Sequence, residues 1–162
     1  KRLICLILLF GLFLSGCSVS GERIKEPVVF YYVRDSYQKD MEQVIASEIR
    51  EASGHSEDLT YLLALYSMGP SQKDLRAVFP RTTRIVPTER TENSIVLTLS
   101  DGAETMLDID FTLASACLAM TCMELIDVQQ VTVVYGDRNI TIQNDNLLMH
   151  HIMTEKPQEE TK

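Results

Sequence analysis

Tryptophan is absent from this 162-residue chain, and glycine (7), proline (5), cysteine (4) and histidine (3) are all scarce. The seven glycines are scattered, so there is no Gly-rich loop to cradle a phosphate. Cations are in the minority as well: 15 Lys+Arg against 23 Asp+Glu leave a net charge of −8 at pH 7. Nucleic-acid binders need a basic footprint to neutralise phosphates, which excludes nucleic acid as a partner. The same sign argues against a folded surface that clings to anionic lipid. No repeat of 20–50 residues is present, so a solenoid is excluded too. What the chain does have is 45% apolar and 23% charged residues, the composition of a folded protein and, at this length, of one domain.

The apolar residues are densest at the start. Lys1-Arg2 precede the run Leu3–Leu14, after which Ser15-Gly16-Cys17 follow. Two cations, twelve nearly uninterrupted apolar residues and then small residues are the layout of a secretory signal peptide. The run is short of the roughly 20 residues that span a bilayer. Because Lys1 is not a methionine, at least one residue is expected ahead of it. Leu14-Ser15-Gly16-Cys17 resembles the lipobox of bacterial lipoproteins. That resemblance implies cleavage between Gly16 and Cys17 and a diacylglycerol thioether on Cys17, with palmitate-type chains. Each buried methylene contributes about 0.8 kcal/mol, and two or more chains anchor stably where one does not. Loss of Lys1 and Arg2 takes the net charge from −8 to −10, so the mature chain is expected to stand off an anionic membrane on its tether.

Residues 17–27 are polar and read as that tether. Val28–Val33 is a β-branched and aromatic run of strand length, in which one of Tyr31 and Tyr32 should face the core and the other the surface. Tyr37–Ser53 fits a helix through Met41, Val44, Ile45 and Ile49, or a strand at Val44–Arg50 that closes a hairpin; the strand is the preferred reading. A helix is expected from a Ser56 cap, with Glu57 and Asp58 at its positive end. Its core stripe would be Leu59, Leu62, Leu63 and Tyr66, and Gly69-Pro70 would stop it. Leu75, Val78 and Phe79 suggest an apolar turn or short helix. Arg84–Glu89 and Ser94–Leu99 read as strands, Ser100–Asp108 as a loop. Asp110 is expected to cap a second helix to about Ile126, with Ala114, Cys117, Leu118, Thr121 and Leu125 on one face. Val131–Tyr135 and Asn139–Ile142 around Gly136-Asp137-Arg138 form a hairpin signal. The polar tail is residues 150–162. The predicted class is α+β, a mainly antiparallel sheet with two helices packed on one face.

Chemistry-bearing residues are few. Cys117 and Cys122, five apart on one helix, point about 140° from each other, which is poor geometry for a disulfide. With no His or Cys nearby they make no zinc site, and they are expected to be reduced and buried. Ser36-Tyr-Gln-Lys39 matches Ser-x-x-Lys, but the partner motif Lys-Thr-Gly is missing, so it reads as chance. Glu104, Asp108 and Asp110 lack the Asp-x-Asp-x-Asp-Gly spacing of a calcium loop and read as cap and loop charges. His150-His151 beside Met149 and Met153 reads as a surface pair, and His55 is isolated. Asn139-Ile-Thr141 is a formal glycosylation pattern only. No catalytic, cofactor-binding or metal-binding residue is assigned.

Leu62-Leu-Ala-Leu-Tyr-Ser-Met-Gly-Pro70, Phe79-Pro-Arg-Thr-Thr-Arg84, Val96-Leu-Thr-Leu-Ser100, Leu113-Ala-Ser-Ala-Cys-Leu118 and Val128-Gln-Gln-Val-Thr-Val133 come in an order that resembles the GerMN domain. The resemblance covers about three-quarters of the mature chain and places one such domain at residues 28–149. It implies a ring-building-module-like α+β fold and membership among sporulation or spore-germination lipoproteins of Gram-positive bacteria. It brings no catalytic residue. The implied protein is not an enzyme but a scaffold or interaction module of the cell envelope. It would sit on the outer face of the cytoplasmic membrane through Cys17, with an envelope protein as its partner. The alternative is a module binding wall polysaccharide or peptide, accessory to a wall enzyme.

Overall fold

The computed structural model describes residues 24–35 and 44–145. Residues 1–16, Cys17, the Ser36–Lys39 motif, His150-His151 and the tail 150–162 lie outside the described residues.

Strand β1 (Pro27–Arg34) alternates as a half-buried strand should, with Val28, Phe30 and Tyr32 buried and Val29 and Tyr31 more open. It pairs antiparallel with β2 (Ile45–Glu51), Val29 opposite Ile49 and Tyr31 opposite Ser47, so Val44–Arg50 is indeed the returning strand of a hairpin. In β2 the usual alternation is inverted. Glu48 is 2% exposed and Ile49 is 56% exposed. The segment at residues 69–71 is the cause: the Glu48 carboxylate accepts the Ser71 N–H at 2.9 and 3.1 Å, and Arg50 donates to the Gly69 carbonyl at 3.2 Å. A buried carboxylate with a backbone donor to bind is tolerable where an isolated one is not.

Helix α1 (Leu59–Ser67) buries Leu59, Leu62, Leu63 and Tyr66, the stripe that its periodicity predicts. Its cap is not Ser56. Successive turns, His55 N–H to Ala52 O and Asp58 N–H to His55 O, occupy residues 52–58. Asp58 then caps, its Oδ1 accepting the Tyr61 N–H at 3.1 Å. Gly69 ends the helix with φ +86°, and a Cβ there would sit 3.2 Å from that of Ala77. The expected turn or short helix near Leu75 is instead a two-residue strand, β3 (Leu75–Arg76), on the edge of β1 away from β2. A turn does precede it, the Leu75 N–H reaching the Gln72 carbonyl at 3.4 Å, and the free edge of β1 then pairs with Leu75–Arg76.

A second sheet has the order β4–β5–β6–β7: β4 (Ile85–Arg90), β5 (Ser94–Leu99), β6 (Gln130–Tyr135) and β7 (Arg138–Gln143). β5 and β6 run parallel because α2 (Asp108–Ile126) crosses between them, and the other pairs are antiparallel. The strands therefore form two sheets, of three and four strands, in an α+β fold with two helices. A 3-10 turn (Ala103–Thr105) lies in the loop before α2. The cap of α2 is Leu107, not Asp110, and makes no side-chain cap bond. The Phe111 N–H already closes the first turn on the Leu107 carbonyl at 2.9 Å, so Asp108 and Asp110 act through the helix dipole.

Helix α2 is 19 residues long and apolar enough to cross a membrane by length and composition. Here it packs against β1 of one sheet and β6 and β7 of the other. Cys117 and Cys122 are both fully buried although they point well apart, since two sheets cover the helix.

The three elements meet at Tyr31. Its main-chain groups face away from β2, beyond the end of short β3. Its N–H donates to Thr121 Oγ1 of α2 at 3.0 Å, and its carbonyl accepts the Tyr66 hydroxyl of α1 at 3.1 Å. Tyr32 stacks on Tyr66 at 4.9 Å and donates its hydroxyl to the Tyr66 carbonyl at 3.1 Å. Thr121→Val keeps the shape but orphans the Tyr31 N–H; urea unfolding should show a loss of about 1–3 kcal/mol, largely restored in Thr121→Ser. Burial raises the Tyr66 hydroxyl well above its usual value, more than a hydrogen bond with Thr121 offsets; burial, with Glu48 nearby, likewise raises Tyr32. Both protons are held in folded and unfolded chains below pH 10. Above it only the unfolded chain releases them, so stability should fall by about 1.4 kcal/mol per pH unit for each tyrosine. Urea midpoints between pH 9 and 11.5 measure that slope, and Tyr66→Phe should flatten it.

Candidate functional surface

The carboxylates singled out by sequence do not converge. Glu104 Oε2 accepts the Gly102 N–H at 2.6 Å and the Tyr135 hydroxyl at 2.9 Å. Its carboxyl is held below the usual range by hydrogen bonds from its own N–H, from Tyr135 and from Gly102. The same contact raises Tyr135. Asp108 is 97% exposed and lies 3.7 Å from Arg138, while Asp110 stands in the first turn of α2. Arg138 is the fastener of this corner. It donates to the carbonyls of Ala103 and Met106, and its guanidinium lies 4.4 Å from the Phe111 ring centroid. Asp108, Glu104 and Arg138 thus tie the β6–β7 hairpin to the loop before α2. Among the described residues no three His, Cys, Asp or Glu side chains could hold a metal ion.

Cys117 and Cys122 are both free thiols, and burial pushes each up to about 12. They are inert core residues, since the thiolate is the reactive form. Tyr32 faces the core and Tyr31 the other side, where burial and nearby Glu124 raise its hydroxyl. His55 stacks on Tyr61 at 4.3 Å. Asn139 is exposed on β7. Cys17, where the lipobox resemblance leads one to expect lipid attachment, and its neighbour Gly16 lie outside the described residues.

The concave surface lies elsewhere, between α1 and the edge strand β4. A groove of about 690 Å³ runs there, with Thr60, Ala64 and Ser67 on the helix wall and Ile85 and Val86 on the strand wall. Arg81 and Arg84 rim it at the end where Met68 closes α1. Thr83, only 2% exposed, also lines it, and its hydroxyl has no partner among the described residues. That hydroxyl is tucked against Gly102 (φ +96°), where a Cβ would come within 2.9 Å of it. A second hollow of about 820 Å³ adjoins through Thr60 and is rimmed by Glu26, Glu57, Asp58, His55 and Arg90. Sequence reasoning missed the groove. Its one legible trace is Thr60, Ala64 and Ser67, small residues at i, i+4 and i+7 beside the buried stripe of α1.

No protein-family model and no curated protein matches the chain. Solved structures do. The first GerMN domain of the sporulation protein GerM from Bacillus subtilis superposes with a TM-score of 0.52 at 14% identity, covering 70% of this chain and 85% of that one. The tandem GerMN domains of the same protein give 0.49 at 20% identity, over 69% of this chain and 39% of theirs. A protein from Clostridium perfringens described as a lipoprotein gives 0.45 at 13%, over 74% and 89%. The fold of this chain is GerMN-like.

The state of the thiols is directly testable. At pH 8 a thiol reagent such as Ellman's should modify Cys117 and Cys122 only as the domain unfolds in denaturant, and both should then react without added reductant. Modification of the native domain within minutes would contradict their burial.

Proposed function

We propose that this chain is a lipid-anchored, extracytoplasmic GerMN-like module that works by binding another envelope protein and not by catalysis. The supporting observation is where its polar chemistry goes. Among the described residues, the buried hydroxyls of Tyr32 and Tyr66 bind main-chain carbonyls, Glu48 binds the Ser71 N–H, and the two thiols are buried and protonated. Arg138 and Glu104 hold a loop. Groups so engaged stabilise a scaffold and leave the surface for recognition. The GerMN-like fold supports a module of the same kind as the sporulation-protein domain it resembles, and a setting in sporulation or germination belongs to this proposal.

Anchoring rests on Leu14-Ser15-Gly16-Cys17. Tethered by acyl chains at Cys17, the domain would lie on the outer face of the cytoplasmic membrane of a Gram-positive bacterium.

In such a host the full chain should fractionate with membranes and yield an acylated N-terminal Cys17 peptide by mass spectrometry, whereas Cys17→Ser should not. Cross-linking from outside the membrane should then give one reproducible protein adduct and no turnover of wall substrates. Sedimentation of the protein with deproteinised cell wall, in place of such an adduct, would overturn the protein-partner reading in favour of a wall-binding module.

A further inference from the structure

The groove between α1 and β4 has a charge character at odds with the rest of the chain. The protein carries 23 carboxylates against 15 cations, yet no carboxylate lines this groove. Arg81 and Arg84 are exposed on its rim, and neither has a salt-bridge partner among the described residues. Between them and Thr60 the surface is apolar and open, with Met68 74% and Val86 48% exposed. Apolar area flanked by unpaired guanidinium groups suits an occupant with an apolar face and acidic flanks.

The walls also choose the occupant's secondary structure. An added β-strand would need a continuous ladder on β4. Pro87 has no N–H to offer, and the register of β4 breaks between Pro87 and Glu89. A helix needs no such ladder. Thr60, Ala64 and Ser67 are short enough to let a second helix approach α1 closely. Polarity is set as well, because the rim of the adjoining hollow beyond Thr60 carries three carboxylates, Glu26, Glu57 and Asp58, against one guanidinium, Arg90. Carboxylates on the occupant are favoured at the Arg81–Arg84 end and disfavoured at the other.

We propose that this groove docks an acidic amphipathic helix of a partner protein, its apolar stripe over Ala64, Met68 and Val86 and its carboxylates on Arg81 and Arg84. The proposal rests on the interaction-module reading above and names the surface and the partner chemistry.

The test uses the full chain in detergent and a fluorescein-labelled synthetic 18-residue peptide with leucines at i, i+3, i+4 and i+7 and glutamates beside them at one end only. A matched peptide carries lysines in place of the glutamates. Fluorescence anisotropy should show the Glu peptide binding and weakening with salt, and the Lys peptide not binding. Arg81→Glu combined with Arg84→Glu should weaken the Glu peptide by about tenfold or more, and so should Ala64→Trp, which fills the groove and leaves the charges. All three positions are exposed, so circular dichroism and the thermal midpoint should stay at wild-type values. Equal binding of both peptides, no binding of the Glu peptide, or indifference to both variants would overturn the proposal. Displacement by a synthetic 146–162 peptide, in which Leu147, Leu148 and Ile152 precede Glu155, Glu159 and Glu160, would overturn it in favour of the chain's own C-terminal segment. Peptide failure with the envelope cross-link retained removes the groove and spares the module; loss of the cross-link with peptide binding intact does the reverse.

Discussion

The edge of β1 next to Tyr31 is the constraint around which the domain is arranged. A strand paired on one side along its length and on the other only by the two residues of β3 leaves backbone donors and acceptors to be satisfied inside the protein. Thr121 and Tyr66 satisfy those of Tyr31 from two different helices. Because each bond requires a particular side-chain oxygen at about 3 Å, the register of both helices on β1 is set together. Stacking of Tyr32 on Tyr66 supplies the apolar part of the same junction.

That arrangement explains the character of α2. A helix covered on one side needs one apolar stripe; this one lies between two sheets and is apolar around most of its circumference. It reads as a possible membrane span by composition for the same reason. Polar residues on it are retained where they bond: Thr121 to β1, Ser115 back to the Phe111 carbonyl at 2.7 Å. The buried thiols act there as small apolar side chains.

The interior is committed to structure, and the two cavities on the α1–β4 side differ in their lining. One is apolar with arginines on its rim, and the other is edged by three carboxylates and one arginine, Arg90. Under the docking proposed above, adjacent hollows of unlike charge would orient a partner more than tighten its binding. The Arg138 corner ties the β6–β7 hairpin to the loop before α2, with Glu104 holding the Tyr135 hydroxyl.

Much of the local structure was legible in the residues themselves. The stripes Leu59–Leu62–Leu63–Tyr66 and Ala114–Cys117–Leu118–Thr121, the strand at Ser94–Leu99 and the tight turn at Gly136-Asp137 follow from periodicity and turn chemistry, which act over a few residues. Helix starts did not: Ser56 and Asp110 are as good caps by composition as Asp58, and only the competing turns at residues 52–58 and the Leu107 carbonyl decide between them. The role of Glu48 was illegible because a carboxylate on an apolar strand face makes sense only once Ser71 arrives 23 residues later to bind it. The groove is a property of two elements and belongs to neither. The order of the chain by itself determined both helices, the longer strands, the acidity and the lipobox-like stretch at Cys17, since these follow from composition and near neighbours. Only the tertiary structure decided that the strands form two sheets, that α2 is covered by both and that Arg81 and Arg84 frame an apolar groove, because each depends on groups brought together across the fold.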